Sequence, residues 1–141
     1  MYDNASVDAF PDIHDGFFDG VWISENKSVH IFLRTVSGER STIVLKDVER
    51  MTVSNFLQGN ILFDLVLVEP DKLTIALIED VYQLQPARIE MAQQLLKKAQ
   101  ERGLSALIIN PSYGAEGVVL FRGGEVLPNH VLPQLTSSSS A

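Results

Sequence analysis

The sequence predicts a single α+β domain: an antiparallel β meander of five or more strands, one main amphipathic helix packed on it, and a C-terminal β hairpin. Two observations predict this class. Short segments with apolar residues at every second position, separated by turn residues, fill the first half of the chain. One later segment carries apolar residues at the three- and four-residue steps of a helix. A helix of about 16 residues is long enough to cover part of the face that a meander must bury.

Five segments of the first half have the pattern of strands with short connections. Residues 28–35 alternate most clearly, from Val29 to Arg34, so that neighbouring side chains point to opposite faces. Residues 61–68 are almost wholly apolar, which favours a central strand covered on both faces. The five predicted strands are residues 17–24, 28–35, 41–46, 48–54 and 61–68.

A helical region follows the strands. Residues 73–84 are ambiguous between a short helix capped at Thr74 and one more strand, and the adjacent acids at 79 and 80 favour the helix. Pro86 is well placed to open the main helix, about 86–102, which Gly103 ends. One face of this helix is expected to be buried; it carries Ile89, Ala92, Leu96 and Ala99.

The C-terminal part predicts a hairpin. Residues 104–110 and 117–121 are its strands, residues 111–114 its turn, and Gly123-Gly124 turns the chain into residues 125–127. The domain organisation expected is an irregular acidic leader at 1–12, one domain at 13–133 and a flexible serine-rich tail at 134–141.

Composition excludes several classes of protein. The chain has no cysteine, which excludes thiol catalysis, zinc-thiolate sites and disulfides. It shows neither a signal peptide nor an apolar run long enough to span a membrane, so a cytoplasmic protein without membrane contact is expected. No dinucleotide, phosphate-loop, nucleophile-elbow or His-Glu-x-x-His motif occurs, so no cofactor is predicted.

The net charge of −7 is concentrated at the N-terminus. Residues 1–26 hold six of the 18 acids and no base, whereas all 11 bases lie in residues 27–141. An acidic surface argues against nucleic-acid binding, which needs phosphate neutralisation. A solvated, solubilising leader is the ordinary interpretation of such a run of charges, and docking of a basic protein partner is the functional alternative. The predicted docking patch consists of Asp3, Asp8, Asp12, Asp15 and Asp19.

The stretch "DIHDGFFDG" raises the question of a metal site, because it supplies His14, Asp15 and Asp19. If residues 17–24 form a strand, Asp15 and Asp19 lie about 13 Å apart on one face, too far for one ion to bridge without a bulge. We therefore expect no metal and interpret the stretch as a strand entry. In that interpretation Asp15 accepts backbone N–H groups and Gly16 supplies an unusual φ.

Asp64 interrupts the apolar run "ILFDLVLV", where an unpaired buried carboxylate would be costly. A histidine or a backbone donor must satisfy it, or its face must be open to water. We hypothesise a His14–Asp64 pair, so that His14, Asp15, Asp19 and Asp64 form a functional or structural polar cluster.

"IHDGFFDGVWI", "TIVLKDVERMTVSNF" and "GNILFDLVL" together resemble small bacterial β-rich domains that begin with His-Asp-Ala or His-Asp-Gly. These domains are grouped with immunity proteins of polymorphic toxin systems and with uncharacterised relatives. The resemblance covers about residues 13–68. It implies that His14-Asp15 opens the first strand and that the strand holding Asp64 lies near the middle of the sheet; it implies no catalytic residue.

Three functions follow as hypotheses. The first is a bacterial, non-enzymatic interaction domain, immunity-like, that binds a basic partner protein. The second is a small-ligand or metal-dependent enzyme centred on His14, Asp15 and Asp19. The third is a homo-oligomeric structural module that pairs through an edge strand.

Overall fold

The structure of the chain is a computed structural model that describes residues 13–128. Within these residues eight strands form one antiparallel sheet, and two α-helices connect its fifth and sixth strands. The strands are β1 (Phe17–Ile23), β2 (Val29–Arg34), β3 (Arg40–Lys46), β4 (Arg50–Ser54), β5 (Asn60–Val68), β6 (Ser105–Tyr113), β7 (Glu116–Phe121) and β8 (Gly123–Pro128). The α+β class and the antiparallel sheet are thus confirmed.

The two helices are α1 (Ile75–Tyr82) and α2 (Ile89–Glu101), with 3-10 turns at Pro70–Lys72 and Pro86–Arg88. The ambiguous segment is therefore a helix. Thr74 caps it, because its side chain accepts a hydrogen bond from the Leu77 backbone N–H. The main helix runs from the 3-10 turn at Pro86 to Glu101, and Gly103 follows it with φ +70°.

The predicted five-strand meander is confirmed only for β1, β2 and β3, which are neighbours in the sheet. The order across the sheet is β4-β7-β6-β5-β1-β2-β3-β8, so β4 leaves β3 and pairs with β7, while β5 lies between β1 and β6. The chain bends after β3, where the Val48 N–H donates to Lys27 O and the Glu49 N–H donates to Leu120 O. These hydrogen bonds satisfy the backbone of the bend and direct the chain to its new neighbour.

The C-terminal hairpin is confirmed for β6 and β7 and is wrong for β8. β6 continues to Tyr113, so the turn comes later than predicted, at Gly114-Ala115. β8 does not fold back on β7; it continues past Arg122 and pairs with β3 from Lys46 to Ser41. β3 continues into β4, and β7 continues into β8, so each pair forms one long bent strand. Because β4 pairs with β7 and β3 with β8, these two long strands run antiparallel along each other. The sheet therefore curves until its two ends approach at this bend.

The curved sheet has an apolar interior and a helix-covered outer side. Inside it, buried side chains of β1, β2 and β3 pack against those of β5, β6 and β7, with Phe18, Ile31 and Leu107 almost fully inaccessible. Outside it, α1 and α2 pack on the half of β5, β6 and β7 that carries Val66 and Ile108. Within residues 13–128 the helices do not cover the other half of this outer side, so the candidate site extends from the edge of α1 onto that half.

The face of α2 is only partly as predicted. Ala92 and Ala99 are buried and Leu96 is half-buried, but Ile89 is 43% exposed. Ile89 is the first α-helical residue, directly after the 3-10 turn. None of the helices within residues 13–128 is long and apolar enough to cross a membrane.

Candidate functional site

The predicted strand entry ties β1 to β5. The Asp15 N–H donates to Leu62 O at 3.0 Å, and the Leu62 N–H donates to Gly16 O at 2.8 Å. The roles of the two entry residues differ from the expectation. Asp15, not Gly16, adopts the left-handed conformation, with φ 64°. Gly16 is required for space, because a Cβ there would lie 2.5 Å from the Arg34 carbonyl oxygen.

The hypothesis of a His14–Asp64 pair is wrong. His14 Nδ1 lies 2.7 Å from the carbonyl oxygen of Phe63, and its ring meets the Phe63 ring edge to face. Asp64 accepts a hydrogen bond from Asn110 Nδ2 at 2.7 Å instead. An irregularity in the pairing of β5 between Leu62 and Asp64 presents the Phe63 carbonyl to the histidine. An amide on the adjacent strand thus satisfies the carboxylate that the sequence left without a partner.

Asp19 belongs to a surface ion pair. Arg34 donates to it through Nε at 2.5 Å and Nη2 at 3.0 Å, and the guanidinium lies 4.5 Å above the Phe17 ring. The hydrogen bond to Asp19 raises the pKa of Arg34 above its ordinary value. The pairing of β1 with β2 shifts at Asp19, so β1 does contain a bulge of the kind that a bridging metal ion would need. At this bulge, however, Asp19 pairs with Arg34.

The predicted cluster therefore does not converge on one point. His14 and Asp15 are neighbours, with Nε2 and Oδ2 3.7 Å apart and both side chains 62% exposed. Asp19 and Asp64 are held by different partners. Within residues 13–128 no group of three His, Asp or Glu side chains is arranged to hold a metal ion. Asp3, Asp8 and Asp12 of the docking patch lie outside the described residues.

The structure brings together a different set of residues. Phe17 of β1 pairs with Ile61 of β5, and Ile61 pairs with Tyr113 of β6, so the three side chains stand in one row on the outer side of the sheet. Phe63 follows Ile61 on the same side, since Leu62 between them is buried in the core. Phe63 is 44% and Tyr113 53% exposed. We call Phe17, Ile61, Phe63 and Tyr113 the aromatic patch.

Sequence reasoning missed the aromatic patch for two reasons. It interpreted residues 61–68 as covered on both faces, but the helices cover only the end of β5 that carries Val66 and Val68. It also placed Tyr113 in a turn. One signal was available in the sequence: Ile61 and Phe63 stand on either side of Leu62 in a strand. Because side chains of a strand alternate between faces, burial of Leu62 would place the other two on the opposite face.

A buried amide supports this end of the sheet. Asn60 is 2% exposed and accepts hydrogen bonds from the N–H groups of Leu57 and Ala115 through Oδ1. Its Nδ2 donates to the carbonyl oxygens of Leu57 and Phe18. One side chain thus links the loop before β5, strand β1 and the β6–β7 turn. The loop and the turn that border the aromatic patch are therefore fixed relative to each other.

A cavity of about 170 Å³ lies beside the aromatic patch, between the C-terminal end of α1 and the sheet. We call it the α1 cavity. It is lined by Thr52, Ser54, Asp80, Gln83, Ile108, Ile109, Asn110, Glu116, Gly117 and Val118. Asn110 connects the cavity with the patch, because it lines the cavity and donates a hydrogen bond to Asp64, the neighbour of Phe63. The same outer side therefore presents exposed aromatic rings and, next to them, a polar cavity with carboxylates.

Other large apolar side chains are exposed elsewhere. Trp22 is 45% exposed at the opposite end of β1, where its ring contacts that of His30 with centroids 4.8 Å apart. Ile89 and Met91, each 43% exposed, lie at the start of α2. Cavities with carboxylates also neighbour these positions, but each includes at least one base. Arg88 lines the cavity of Glu90 and Met91, and Lys27 and Arg50 line the cavity near Ile23 that holds Glu25 and Glu49.

Comparisons of the chain with protein-family models, with curated proteins and with solved structures found no match. The function must therefore be argued from the geometry of the aromatic patch and the α1 cavity.

Proposed function

We propose that this chain is a non-enzymatic interaction domain that binds a basic partner protein through the aromatic patch. The observation that carries the proposal is the exposure of Phe63 and Tyr113 on a sheet face that the helices leave uncovered, next to a cavity with carboxylates. Exposed aromatic residues that lie together mark protein-binding surfaces, because they contribute large buried areas at low entropic cost.

The charges around the aromatic patch support a basic partner. Asp15 is well exposed at one border, and Asp64 lies directly beside Phe63. Glu116 follows Tyr113 across the β6–β7 turn and is exposed. The Arg34 guanidinium lies over the Phe17 ring of the patch, and its charge is paired with that of Asp19. A basic surface would meet these carboxylates beside the rings, which favours fast and specific association.

The acidic leader supplies a longer-range contribution to the same function. Asp3, Asp8 and Asp12 precede the strand entry that borders the aromatic patch, and the whole chain carries a net charge of −7. Charges on exposed segments steer an approaching partner and are screened by salt. In this proposal they raise the association rate of a basic partner, and the patch determines the lifetime of the complex.

An immunity-like role is a narrower form of the proposal, in which the bound partner is a toxin whose active surface the domain covers. The support is the resemblance of residues 13–68 to bacterial domains that begin with His-Asp-Gly. In that role the domain would inhibit its partner in a purified one-to-one mixture, and binding without inhibition would leave only the broader interaction function.

Selection from a random library of short peptides, with the full chain immobilised, tests the proposal. We expect enrichment of peptides that place Lys or Arg next to apolar residues. In anisotropy measurements with a selected peptide, Tyr113→Ala should weaken binding at least about tenfold, as the loss of a hot-spot residue does. Trp22→Ala, which removes an equally exposed aromatic ring outside the aromatic patch, should leave the affinity within about twofold.

Two results would overturn the proposal. One is a selected set with no excess of Lys or Arg. The other is an equal loss of affinity in the Tyr113 and Trp22 variants, which would place binding away from the aromatic patch.

The leader is tested separately in the full chain by replacing Asp3, Asp8 and Asp12 together with Asn. At about 50 mM salt the variant should associate with the selected peptide more slowly than the wild type. At about 500 mM the two rates should be similar, because salt then screens charges that are more than a few ångströms apart. An unchanged rate at low salt would show that the leader is only a solvated segment.

A further inference from the structure

We infer that the α1 cavity is a binding site for one cationic side chain, an arginine or lysine, that the partner inserts beside the aromatic patch. The inference rests on the proposed function, because the cation is part of the basic partner. It adds the position and the chemistry of the anchoring contact.

Three independent features of the α1 cavity favour a cation. Two acidic residues line it, Asp80 from the helix and Glu116 from the sheet. The α1 helix ends beside it, with Gln83 in the left-handed C-cap conformation, so the negative end of the helix dipole faces this side of the molecule. The ten lining residues include no Lys and no Arg.

The remaining polar groups suit a donor with several N–H bonds. Thr52 and Ser54 project from β4 beside their partners on β7, Val118 and Glu116, and their hydroxyl oxygens accept hydrogen bonds. Asn110 adds an amide at the opposite wall. A guanidinium offers five N–H donors and no acceptor, so it matches a wall made of carboxylate, hydroxyl and amide oxygens.

The dimensions and floor of the cavity fit a single side chain. A volume of about 170 Å³ equals that of about six water molecules in the liquid, which accommodates a guanidinium or ammonium group and its nearest methylenes. The floor is apolar, formed by Ile108 and Val118, and it would contact the methylene stem. Gly117 keeps the strands close, because a Cβ there would lie 2.8 Å from Thr52 O.

The test uses the labelled full chain and two small probes, N-acetyl-arginine amide and N-acetyl-citrulline amide, in an NMR titration. Citrulline has almost the same shape as arginine and no charge. We expect the arginine probe to shift the amide signals of Gln83, Asn110 and Gly117 in a saturable way, and the citrulline probe to leave them unchanged at the same concentration.

Variants assign the effect to the cavity. Glu116→Gln should weaken binding of the arginine probe about tenfold, since it removes one charge-assisted hydrogen bond at an exposed position that folding does not need. Glu39→Gln removes an equally exposed acid in the β2–β3 turn and should leave the affinity unchanged. Thr52→Val keeps the shape of a wall residue and removes its hydroxyl, so it should weaken binding by a smaller factor.

The inference is overturned if the arginine and citrulline probes shift the same signals equally, or if Glu116→Gln and Glu39→Gln behave alike. Its failure is distinguishable from failure of the proposed function. If the cavity ignores arginine while Tyr113→Ala still weakens the selected peptide, only the anchoring site is wrong. If the cavity binds arginine but the aromatic patch has no role in peptide binding, the proposed function is wrong.

Discussion

At the scale of the residue, the fold of the described chain depends on a few positions where the available space and the hydrogen bonds permit only one type of side chain. Gly114 combines φ +90° with a neighbour, Asn60, whose Oδ1 occupies the place where a Cβ would be. That oxygen also accepts the N–H groups of Leu57 and Ala115. A methyl group at 114 would therefore strain the backbone and displace a buried amide that holds three segments together.

Gly38 provides a matched control for this residue. Its φ is +96°, similar to that of Gly114, but a Cβ there would meet nothing within 4 Å. We expect Gly38→Ala to lower the free energy of unfolding by about 1–2 kcal/mol through the backbone alone. Gly114→Ala should cost about 2 kcal/mol more, because the added carbon clashes in a packed site. Urea denaturation measures both, and equal losses would contradict the role assigned to Asn60.

Tyr82 gives a prediction for pH dependence. Its pKa is raised, first by burial and then by the nearby Glu49 carboxylate, while Arg50, whose guanidinium lies 5.1 Å from the ring centroid, opposes the shift. A raised folded-state pKa means that the unfolded chain loses the phenol proton first. The stability contributed by neutral Tyr82 is therefore present below about pH 10 and is lost as the pH rises above that value.

In Tyr82→Phe this loss should be absent. The free energy of unfolding of the wild type should fall more steeply between about pH 9 and pH 11 than that of the variant, because the lysines titrate in both proteins and cancel in the difference. Parallel curves for the two proteins would show that Tyr82 ionises equally in the folded and unfolded states.

At the scale of the element, local signals predicted the helices well. Pro86 predicts the start of the main helix and Gly103 its end, and Thr74 predicts the cap of α1 if residues 73–84 are a helix, because capping depends on residues within one turn of the helix end. The partners of β4 and β8 were not predictable in the same way. Alternation shows that a segment is a strand and which residues share a face, but several strands of similar pattern compete as neighbours.

The cap of α1 is open to a direct test. Thr74→Ala should lower the free energy of unfolding by about 1 kcal/mol, because the Leu77 N–H loses its acceptor. Thr74→Ser retains a hydroxyl and should lose much less. Chemical denaturation of the two variants measures the difference. An alanine variant as stable as the serine variant would mean that packing of Leu77 and Ile78 alone holds the helix start.

At the scale of the whole molecule, the candidate site results from the curvature of the sheet and the position of its helices. The sequence predicts His14, Asp15, Asp19 and Asp64 as one polar cluster, but which of them meet depends on long-range pairing: Arg34 comes to Asp19 across β1–β2, and Asn110 comes to Asp64 across β5–β6. The aromatic patch likewise requires three strands that are distant in sequence. Such contacts cannot be deduced from spacing along one segment.

The location of binding is the most direct test of the account, because other exposed apolar residues offer competing surfaces. A selected basic peptide is titrated into the isotopically labelled full chain, and the shifted backbone amides are mapped by NMR. We expect the largest shifts at Phe17, Ile61, Phe63 and Tyr113, with further shifts at the walls of the α1 cavity. Largest shifts at Trp22 and Ile23, or at Ile89 and Met91, would contradict it.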